Sequence, residues 1–522
     1  MEFIKAKNRE LFCGDKPILL RGFGFGGWLL PEGYMWKLGA KCNRPRQIEK
    51  LIAALAGETY AASFWKRYYD LYVTEDDVRL IAERGYNSIR IPINARHLYR
   101  ESGGDIVLRD EAIALIDRLI AWCRSFGIYA VLDMHGAPGG QTGQNIDDSE
   151  RDQPELFIEP KNEAALIRLW QLLAERYRDE SAVAGYDLLN EPLPEFFNQY
   201  YPQLLPLYEK LIAAIRKVDK AHTIIVEGFH WDTDFSVFDP WFKGLPDANI
   251  LLQFHKYWSC PDTESIQKYL DYREHLNLPL WMGEGGENNI EWYIAAFSLY
   301  ERHNISWNFW TYRKMATLNS PHNVVMPKNW NRIQEYIEGR EAPSQDEAIT
   351  IFDEYLHNIE HSEVVEPVFR ALNREPPIRI PAEFYDDYAA ETGRVSGAEF
   401  RMGDRVSILF ADGRQGLPDY HAGGGDPQPE KENMVVLLCR DEWLEYSFNL
   451  PKAEVLEAAL NPGGPGDWEI LCGGQSARFH TEGKEQSAPL KFHLEAGEHR
   501  IRVICRSDSA VVDDILLGNL SR

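Results

Sequence analysis

The chain has no long apolar run, and this absence limits where it can reside. No stretch of the 522 residues approaches the ~20 consecutive apolar residues that a membrane-spanning helix requires. The segment Met1 to Lys7 also lacks the apolar core of a secretory signal. We therefore expect a cytoplasmic protein with no membrane partner, or a secreted one if a signal peptide has been removed.

Cysteines are few, and basic residues are outnumbered by acidic ones. The seven cysteines are odd in number and show no CxxC spacing, so neither a disulfide framework nor a cysteine zinc site is expected. The 56 basic residues face 81 acidic ones, which gives a net charge of −25. Such a charge repels the phosphates of nucleic acid, so no nucleic-acid partner is expected. The alternative is that the charge only keeps the protein in solution.

The length predicts more than one domain. At 522 residues the chain exceeds what one hydrophobic core usually organises. The prolines between Arg374 and Pro381 indicate a stiff linker, so we predict a first domain over 1–373, a linker over 374–381 and a second domain over 382–522. The last part alternates short β-prone runs with Gly, Pro and Asp clusters, which is typical of an all-β jelly roll or sandwich.

Strand-like and helix-like segments alternate through the first domain. Amphipathic segments such as Glu111 to Phe126 separate short buried runs, a helical insert is predicted over 46–70, and Asp346 to Glu360 is the predicted last helix. With Ile18 to Arg21 as the first strand, eight repeats predict a (β/α)8 barrel of the α/β class. The other predicted strands are Ser88 to Ile93, Tyr129 to His135, Val183 to Glu191, Thr223 to Gly228, Ile250 to Tyr257, Leu278 to Glu284 and Ile305 to Trp310.

Two glutamates, Glu191 and Glu284, end buried strands of the predicted barrel. Each follows a run of mainly apolar residues. Active groups of such barrels lie at the carboxyl ends of the strands, so both side chains are expected at one mouth. Two carboxyl groups about 5 Å apart are what retaining glycoside hydrolysis needs, one as acid and base and the other as nucleophile. Glu227 and Glu287 are rival carboxylates that rank behind Glu284.

The motifs around these glutamates resemble those of glycoside hydrolase family 5, a family of retaining (β/α)8-barrel enzymes. Over about residues 15 to 365, Leu189-Asn190-Glu191-Pro192 is similar to the acid/base strand and Trp281-Met282-Gly283-Glu284 to the nucleophile strand. The resemblance implies that Glu191 and Glu284 are catalytic and that no cofactor is required. It also implies a set of substrate-binding side chains: Arg90, His135, Asn190, His255, Tyr257 and Trp310. Asp133 and His135 lack an evident third metal ligand, so no active-site metal is expected.

Two further stretches, Gly26 to Glu32 and His135 to Gln141, are similar to the exo-β-1,3-glucanases of that family. This likeness implies that Glu32 holds hydroxyl groups of a terminal glucose in a closed pocket, and that glucose is released from the non-reducing end of a laminarin-type β-1,3-glucan. Three departures from those enzymes affect the predicted rim: Pro31, Gly285-Gly286 and Tyr312. A broad β-glucosidase and an endo-β-1,4-glucanase are therefore alternatives, and a carbohydrate-binding protein on a barrel scaffold is the non-enzymatic one.

The second domain resembles carbohydrate-binding modules of family 6, more loosely than the first resembles its own family. The similar segments are Ile380 to Tyr385, Glu442 to Tyr446, Leu494 to Val503 and Val511 to Ile515. The resemblance implies that Glu383, with Asp513 or Asp514, holds a structural calcium ion, while ordinary surface carboxylates are the alternative. A homodimer is expected only because homodimers are common.

Overall fold

The chain forms two compact units. A computed structural model describes residues 1–391, 393–395, 397–421, 425–518 and 520. The first unit consists of Met1–Tyr257, Lys268–Gly286 and His303–Val364. The second consists of Trp258–Gln267, Glu287–Arg302 and Val365–Arg522. The domain boundaries at 374 and 382 stay a prediction.

A closed barrel of eight parallel strands forms the first unit, which confirms the predicted fold class. A small antiparallel sheet precedes the barrel, with strands β1 (Ile4–Lys7), β2 (Glu10–Cys13) and β3 (Lys16–Ile18). The barrel strands are β4 (Arg21–Gly24), β5 (Ser88–Asn94), β8 (Tyr129–Gly136), β9 (Val183–Asp187), β10 (Thr223–Glu227), β11 (Ile250–His255), β12 (Leu280–Gly286) and β13 (Ser306–Trp310). Between β5 and β8 the chain forms a hairpin of β6 (Tyr99–Ser102) and β7 (Asp105–Leu108). Each barrel strand pairs with the next in chain order, and β13 pairs with β4.

Apolar side chains close the amino-terminal end of the barrel. Ile4 and Leu11 of the small sheet, together with Leu20, belong to one buried cluster with residues near the starts of the barrel strands. Those residues are Tyr129, Val131, Ala184, Ile225, Leu251 and Trp281. Because apolar side chains fill the amino-terminal end, the polar side chains of the barrel are expected at the carboxyl ends of the strands.

Helices connect the strands, and local signals set several of their ends. The α-helices of the described residues are α1 (Pro45–Ala56), α2 (Glu58–Tyr72), α3 (Glu75–Glu83), α4 (Ala95–Leu98), α5 (Asp110–Phe126), α6 (Glu155–Ile158), α7 (Pro160–Tyr177), α8 (Leu204–Arg216), α9 (Phe229–Asp232), α10 (Thr263–Leu276), α11 (Ile290–Arg302), α12 (Trp330–Ile337), α13 (Gln345–Glu360) and α14 (Glu366–Asn373). Thr74 and Asp77 form a capping box at the start of α3, and Gly127 ends α5 with φ = +73°. The insert predicted over 46–70 is α1 and α2. Among these helices none is long and apolar enough to span a membrane.

The second unit contains two β-sheets, as the composition of the last 140 or so residues predicted. Three short strands form a separate sheet in the first unit: β14 (Arg313–Met315), β15 (His322–Val324) and β16 (Glu363–Val364). One sheet contains β17 (Ile378–Pro381), β19 (Ser407–Phe410), β20 (Met434–Cys439), β22 (Glu454–Pro462), β25 (Leu490–Leu494) and β27 (Ser509–Gly518). The other contains β18 (Asp387–Ala389), β21 (Trp443–Leu450), β23 (Gly466–Cys472), β24 (Gln475–Thr481) and β26 (Gly497–Cys505). Part of the predicted linker is thus a strand, β17, which pairs with β27.

Two strand predictions were wrong at their ends. The first barrel strand begins at Arg21, because residues 16–18 pair with β2 in the small sheet instead. Strand β9 ends at Asp187, four residues before Glu191. Glu191 itself has φ = +44°, in the left-handed region, and an extended strand cannot pass through that conformation.

Candidate active site

Glu191 lies at a backbone break after β9. The N–H groups of Leu188 and Asn190 each donate to a carbonyl of a neighbouring strand segment over 3.1 Å, so the chain stays attached to the barrel. The N–H of Glu191 instead donates to the Glu227 carboxylate over 2.6 Å. Left-handed backbone is costly for a residue with a side chain and persists only where its surroundings fix it. The buried Glu227 provides one such contact.

Glu284 lies on β12, and both of its carboxylate oxygens accept hydrogen bonds. Arg90 Nη1 donates to Oε1, and the Tyr257 hydroxyl donates to Oε2 over 2.7 Å. The Glu284 side chain is 5% exposed, so little water competes with these donors. Hydrogen bonds from a cation and from a hydroxyl fix the orientation of the carboxyl group.

The two predicted catalytic carboxyl groups lie close together. One oxygen of Glu191, one oxygen of Glu284 and one ring nitrogen of His255 all lie within 4.8 Å of one another. Carboxyl groups of retaining glycosidases are about 5–5.5 Å apart, whereas those of inverting enzymes leave about 6.5–9.5 Å for a water molecule. An oxygen pair within 4.8 Å fits the shorter spacing of the retaining enzymes better than the longer one.

Burial raises the pKa of Glu191 to about 7, while His135 and Arg90 lower it by smaller amounts. Burial has the opposite effect on a base and lowers the pKa of His255 to about 3. Near neutral pH, His255 is therefore uncharged and Glu191 still carries a proton in part of the molecules. A carboxyl group with this pKa can act as an acid and, once deprotonated, as a base.

His255 leaves one oxygen of Glu191 available for that proton. Its Nδ1 lies 2.7 Å from Glu191 Oε1, and its Nε2 lies 2.9 Å from the amide nitrogen of Gln253. Because an amide nitrogen only donates, Nε2 accepts and the proton of His255 is on Nδ1. Glu191 Oε1 then accepts from His255, and Oε2 is the oxygen that can carry the acidic proton.

Arg90 lies beneath the pair and connects its two sides. It is fully buried and donates to the Asp187 carboxylate over 2.9 Å, to Asn190 Oδ1 over 2.8 Å and to Glu227 over 3.2 Å, as well as to Glu284. Burial opposes its charge, but the surrounding carboxylates raise its pKa well above the ordinary value. Arg90 is therefore a permanent cation that positions Glu284. It also holds the side chain of Asn190, which directly precedes Glu191 in the chain.

His135 and Trp310 stack on each other, with ring centroids 5.2 Å apart and an interplanar angle of 6°. His135 Nδ1 lies 2.8 Å from Asp133, and burial lowers the pKa of this histidine to about 4. Trp310 is only 4% exposed, and a Cβ added at Gly24 or Gly26 would lie within 2.7 Å of its ring. The ring of Trp310, which was predicted to bind substrate, is thus largely covered by neighbouring residues.

Glu32 is also buried, at 3% exposure, and accepts from the Asn145 side chain over 3.3 Å. The loop that bears Asn145 is anchored by Gln141, whose amide nitrogen donates to the carbonyls of His135 and Asn190 over 2.8 Å each. Gln141 therefore ties the loop after β8 to the segment before Glu191. Its sequence motif predicted the loop, but not this anchoring function.

Several buried polar residues of the site had no role in the sequence analysis. Glu227 was considered only as a rival carboxylate, and the structure places it at 0% exposure beneath Glu191, while Glu287 lies beyond β12 in the second unit. The others are Asp187, Asp232 and Gln253. Gln253 could have been found, because alternation along β11 places it on the same face as His255.

Three sets of side chains in the site could ligate a metal ion. Each brings three ligand atoms within 4.8 Å of one another: Asp133-His135-Glu284, Glu191-His255-Glu284 and Glu227-Asp232-His255. In the first two sets Glu284 already receives donors from Arg90 and Tyr257, and in the third Glu227 receives them from Arg90 and Gln253. Arg90 thus already supplies positive charge to Glu284 and to Glu227.

The predicted calcium ligands lie in the second unit. Glu383 is 5% exposed, and its Oε2 is a buried atom without a hydrogen-bond partner. Asp514 accepts from Arg379 Nε and from the Asn461 amide, each over 2.8 Å. Asp513 lines the same cavity as Glu383. An orphaned buried carboxylate oxygen suits a hard cation such as Ca²⁺, whereas Asp514 is already neutralised by Arg379.

A parallel eight-stranded barrel with a carboxylate pair, a buried arginine and two neutral histidines at its strand ends has the architecture of a glycoside-cleaving (β/α)8 enzyme. Residues 53–316 match the cellulase family, glycosyl hydrolase family 5. The chain belongs to this family, which makes it an O-glycosyl hydrolase.

Proteins similar to this chain carry names that state different activities. The chain is 27% identical over 349 residues to a β-xylosidase of Phanerodontia chrysosporium, which covers 60% of this chain and 72% of the relative. It is 29% identical over 279 residues to a probable glucan 1,3-β-glucosidase A of Emericella nidulans, with 51% and 66% covered. A crystal structure of endogalactoceramidase aligns over 98% of this chain and 100% of its own, with a TM-score of 0.49 and 15% identity. The names of the first two relatives thus state different sugars.

Proposed function

We propose that the chain is a retaining exo-acting β-glucosidase that prefers laminarin-type β-1,3-glucan and releases glucose from the non-reducing end. The observation that carries the retaining mechanism is the separation of the Glu191 and Glu284 oxygens, within 4.8 Å. The preference for β-1,3-glucan is supported by the resemblance around Glu32 and by the name of the Emericella nidulans relative.

The reaction proceeds in two displacements. The ionised Glu284 attacks the anomeric carbon, the glycosidic bond breaks, and Glu191 Oε2 gives its proton to the departing oxygen. Glu191, now a carboxylate, then takes a proton from water as that water attacks the glycosyl-enzyme ester and releases Glu284. A pKa of about 7 for Glu191 suits both steps, because the group must give up a proton and regain one.

The walls of the mouth favour action at chain ends. Helix α2 lies against the loop after β4, where the Tyr68 hydroxyl donates to Gly27 O and the Tyr72 hydroxyl donates to Gly26 O over 2.9 Å. The same loop continues to Glu32, which is buried. We infer that an insert packed on this side closes the cleft beyond the terminal sugar, whereas an endo-acting enzyme needs that direction open.

Product analysis on paired substrates tests the proposal. The enzyme is given laminarin, carboxymethylcellulose and xylan, and the products of the first few per cent of turnover are followed by NMR and chromatography. We expect glucose from laminarin, with the β-anomer formed first. A ladder of oligomers from cellulose would overturn the exo assignment, xylose alone would overturn the choice of sugar, and an α-anomer would overturn the retaining mechanism. Glu284→Gln serves as the inactive control.

For the second unit we propose a calcium ion bound between Glu383 and Asp513, beside a sheet that binds carbohydrate. The orphaned Glu383 oxygen supports the site. Thermal unfolding in the presence of CaCl₂ or of a chelator tests this proposal. The temperature at which the second unit unfolds should rise with calcium in the wild type and not in Glu383→Gln. Equal shifts in both proteins would remove Glu383 from the site.

A further inference from the structure

Helix α13 ends in a motif that the proposed reaction does not use. His357, Glu360 and His361 stand at positions i, i+3 and i+4, which a helix brings to one face. All three side chains are exposed, whereas Tyr355 and Ile359 of the same helix are buried. The motif therefore contributes nothing to the core, and its exposed face is available to a ligand.

The three side chains lie close enough together to share one ion. One ligand atom from each lies within 4.8 Å of the other two, and the two imidazole centroids are 4.2 Å apart. Zinc bonds of about 2.0–2.2 Å place the ligand atoms of a tetrahedral site about 3.4 Å apart. Rotation of the exposed His357 and Glu360 side chains can close the remaining gap.

The hydrogen bond of His361 prepares it for a metal. Its Nδ1 lies 2.9 Å from the carbonyl oxygen of His357. A carbonyl oxygen only accepts, so Nδ1 carries the proton and Nε2 presents its lone pair to solvent. Histidines that ligate metals almost always donate the other ring N–H in this way, because the bond fixes the tautomer and the ring orientation.

We propose that His357, Glu360 and His361 form a surface site for a divalent transition metal such as Zn²⁺, with water at the fourth position. Two imidazoles and one carboxylate suit Zn²⁺, Ni²⁺ and Cu²⁺. Ca²⁺ and Mg²⁺ require a shell of oxygen ligands and are excluded by this set. Because the ligands span the last turn of α13, metal binding stabilises the folded first unit by mass action.

Zinc titration of the full-length, untagged protein tests the proposal. Calorimetry with ZnCl₂ compares the wild type with H357A, H361A and E360Q, with folding checked by circular dichroism. Loss of a group that only orients a zinc ligand costs about 10- to 100-fold in affinity, so loss of an imidazole should weaken binding at least that much. E360Q should cause a smaller loss, and a large excess of MgCl₂ should not displace the zinc.

His275 provides the matched control, because it is an exposed histidine in the last turn of another helix, α10. H275A should bind zinc as the wild type does, and zinc should raise the unfolding temperature of both but not of H357A. If the double variant H357A/H361A binds the same equivalent of zinc with unchanged affinity, the ion is held elsewhere and the proposal is wrong. Neither readout depends on catalysis.

Discussion

Replacing Glu191 by glutamine should abolish turnover and also stabilise the fold in alkaline solution. Burial raises the pKa of Glu191 from 4.5 to about 7. Above that pH the folded protein holds an ionised carboxylate in surroundings that favour the neutral form. Glutamine keeps the size of the side chain and the oxygen that accepts from His255, over 2.7 Å in the wild type, but it cannot ionise or donate an acidic proton.

The size of the stabilisation follows from the two pKa values. A group whose pKa is raised on folding contributes stability that is fully present below the unfolded value and is lost as the pH rises through the folded value. For Glu191 the loss occurs between about pH 4.5 and about pH 7. Between pH 5 and pH 8 the wild type therefore loses about 2.5 kcal/mol that the glutamine variant keeps.

Thermal unfolding of both proteins at pH 5 and pH 8 measures this difference. Titrating groups distant from Glu191 affect the two proteins alike, so the unfolding temperature of Glu191→Gln relative to the wild type should rise by several degrees from pH 5 to pH 8. Glu175→Gln, on the exposed face of α7, is the control and should show no such rise. If the difference between Glu191→Gln and wild type is the same at both pH values, Glu191 does not have a raised pKa, and the assignment of the acid loses its physical basis.

Three further predictions concern the kinetics. In Glu284→Ala, kcat should fall by about 10⁴-fold or more, and added azide should restore part of the turnover as an α-glycosyl azide, which NMR identifies. In the wild type, kcat should fall tenfold per pH unit above about pH 7 as Glu191 loses its proton, which initial rates across pH will show. Glu227→Gln should lower kcat by about 10²-fold with little change in KM, because Glu227 holds the backbone of Glu191 and lies too deep to contact substrate. A rise in KM alone would contradict that role.

The barrel could be predicted because its signals are local. Alternating strand and helix periods survive in the sequence, and the helices predicted from Glu111 and Asp346 begin within one residue of α5 and α13. The end of β9 could not be predicted in this way. It depends on Glu191 adopting a left-handed conformation, and the contact that accompanies it comes from Glu227, 36 residues further along the chain.

The paired glutamates could be predicted because each follows an apolar run, and strand ends of a parallel barrel meet at one mouth. Their charge states could not, because a pKa depends on burial and on neighbours from other strands. The sequence likewise suggested Trp310 as a sugar platform, since an aromatic at a strand end fits that role. Only packing against His135, Gly24 and Gly26 revealed how little of its surface is available.

Carboxyl groups crowd around Arg90 at the mouth of the barrel, and burial holds protons on several of them near neutral pH. Six carboxyl groups lie in or beneath the site: Asp133, Asp187, Glu191, Glu227, Asp232 and Glu284. Arg90 is the permanent cation among them, since both histidines are neutral near pH 7. Burial raises the pKa of Asp133 and Glu191 to about 7 and that of Asp187 to about 6, so these acids share protons near neutral pH. The two oxygens of Glu284 accept hydrogen bonds from Arg90 and from Tyr257. The proposed mechanism needs a proton on Glu191, and the pKa of about 7 lets this residue keep one in part of the molecules near neutral pH.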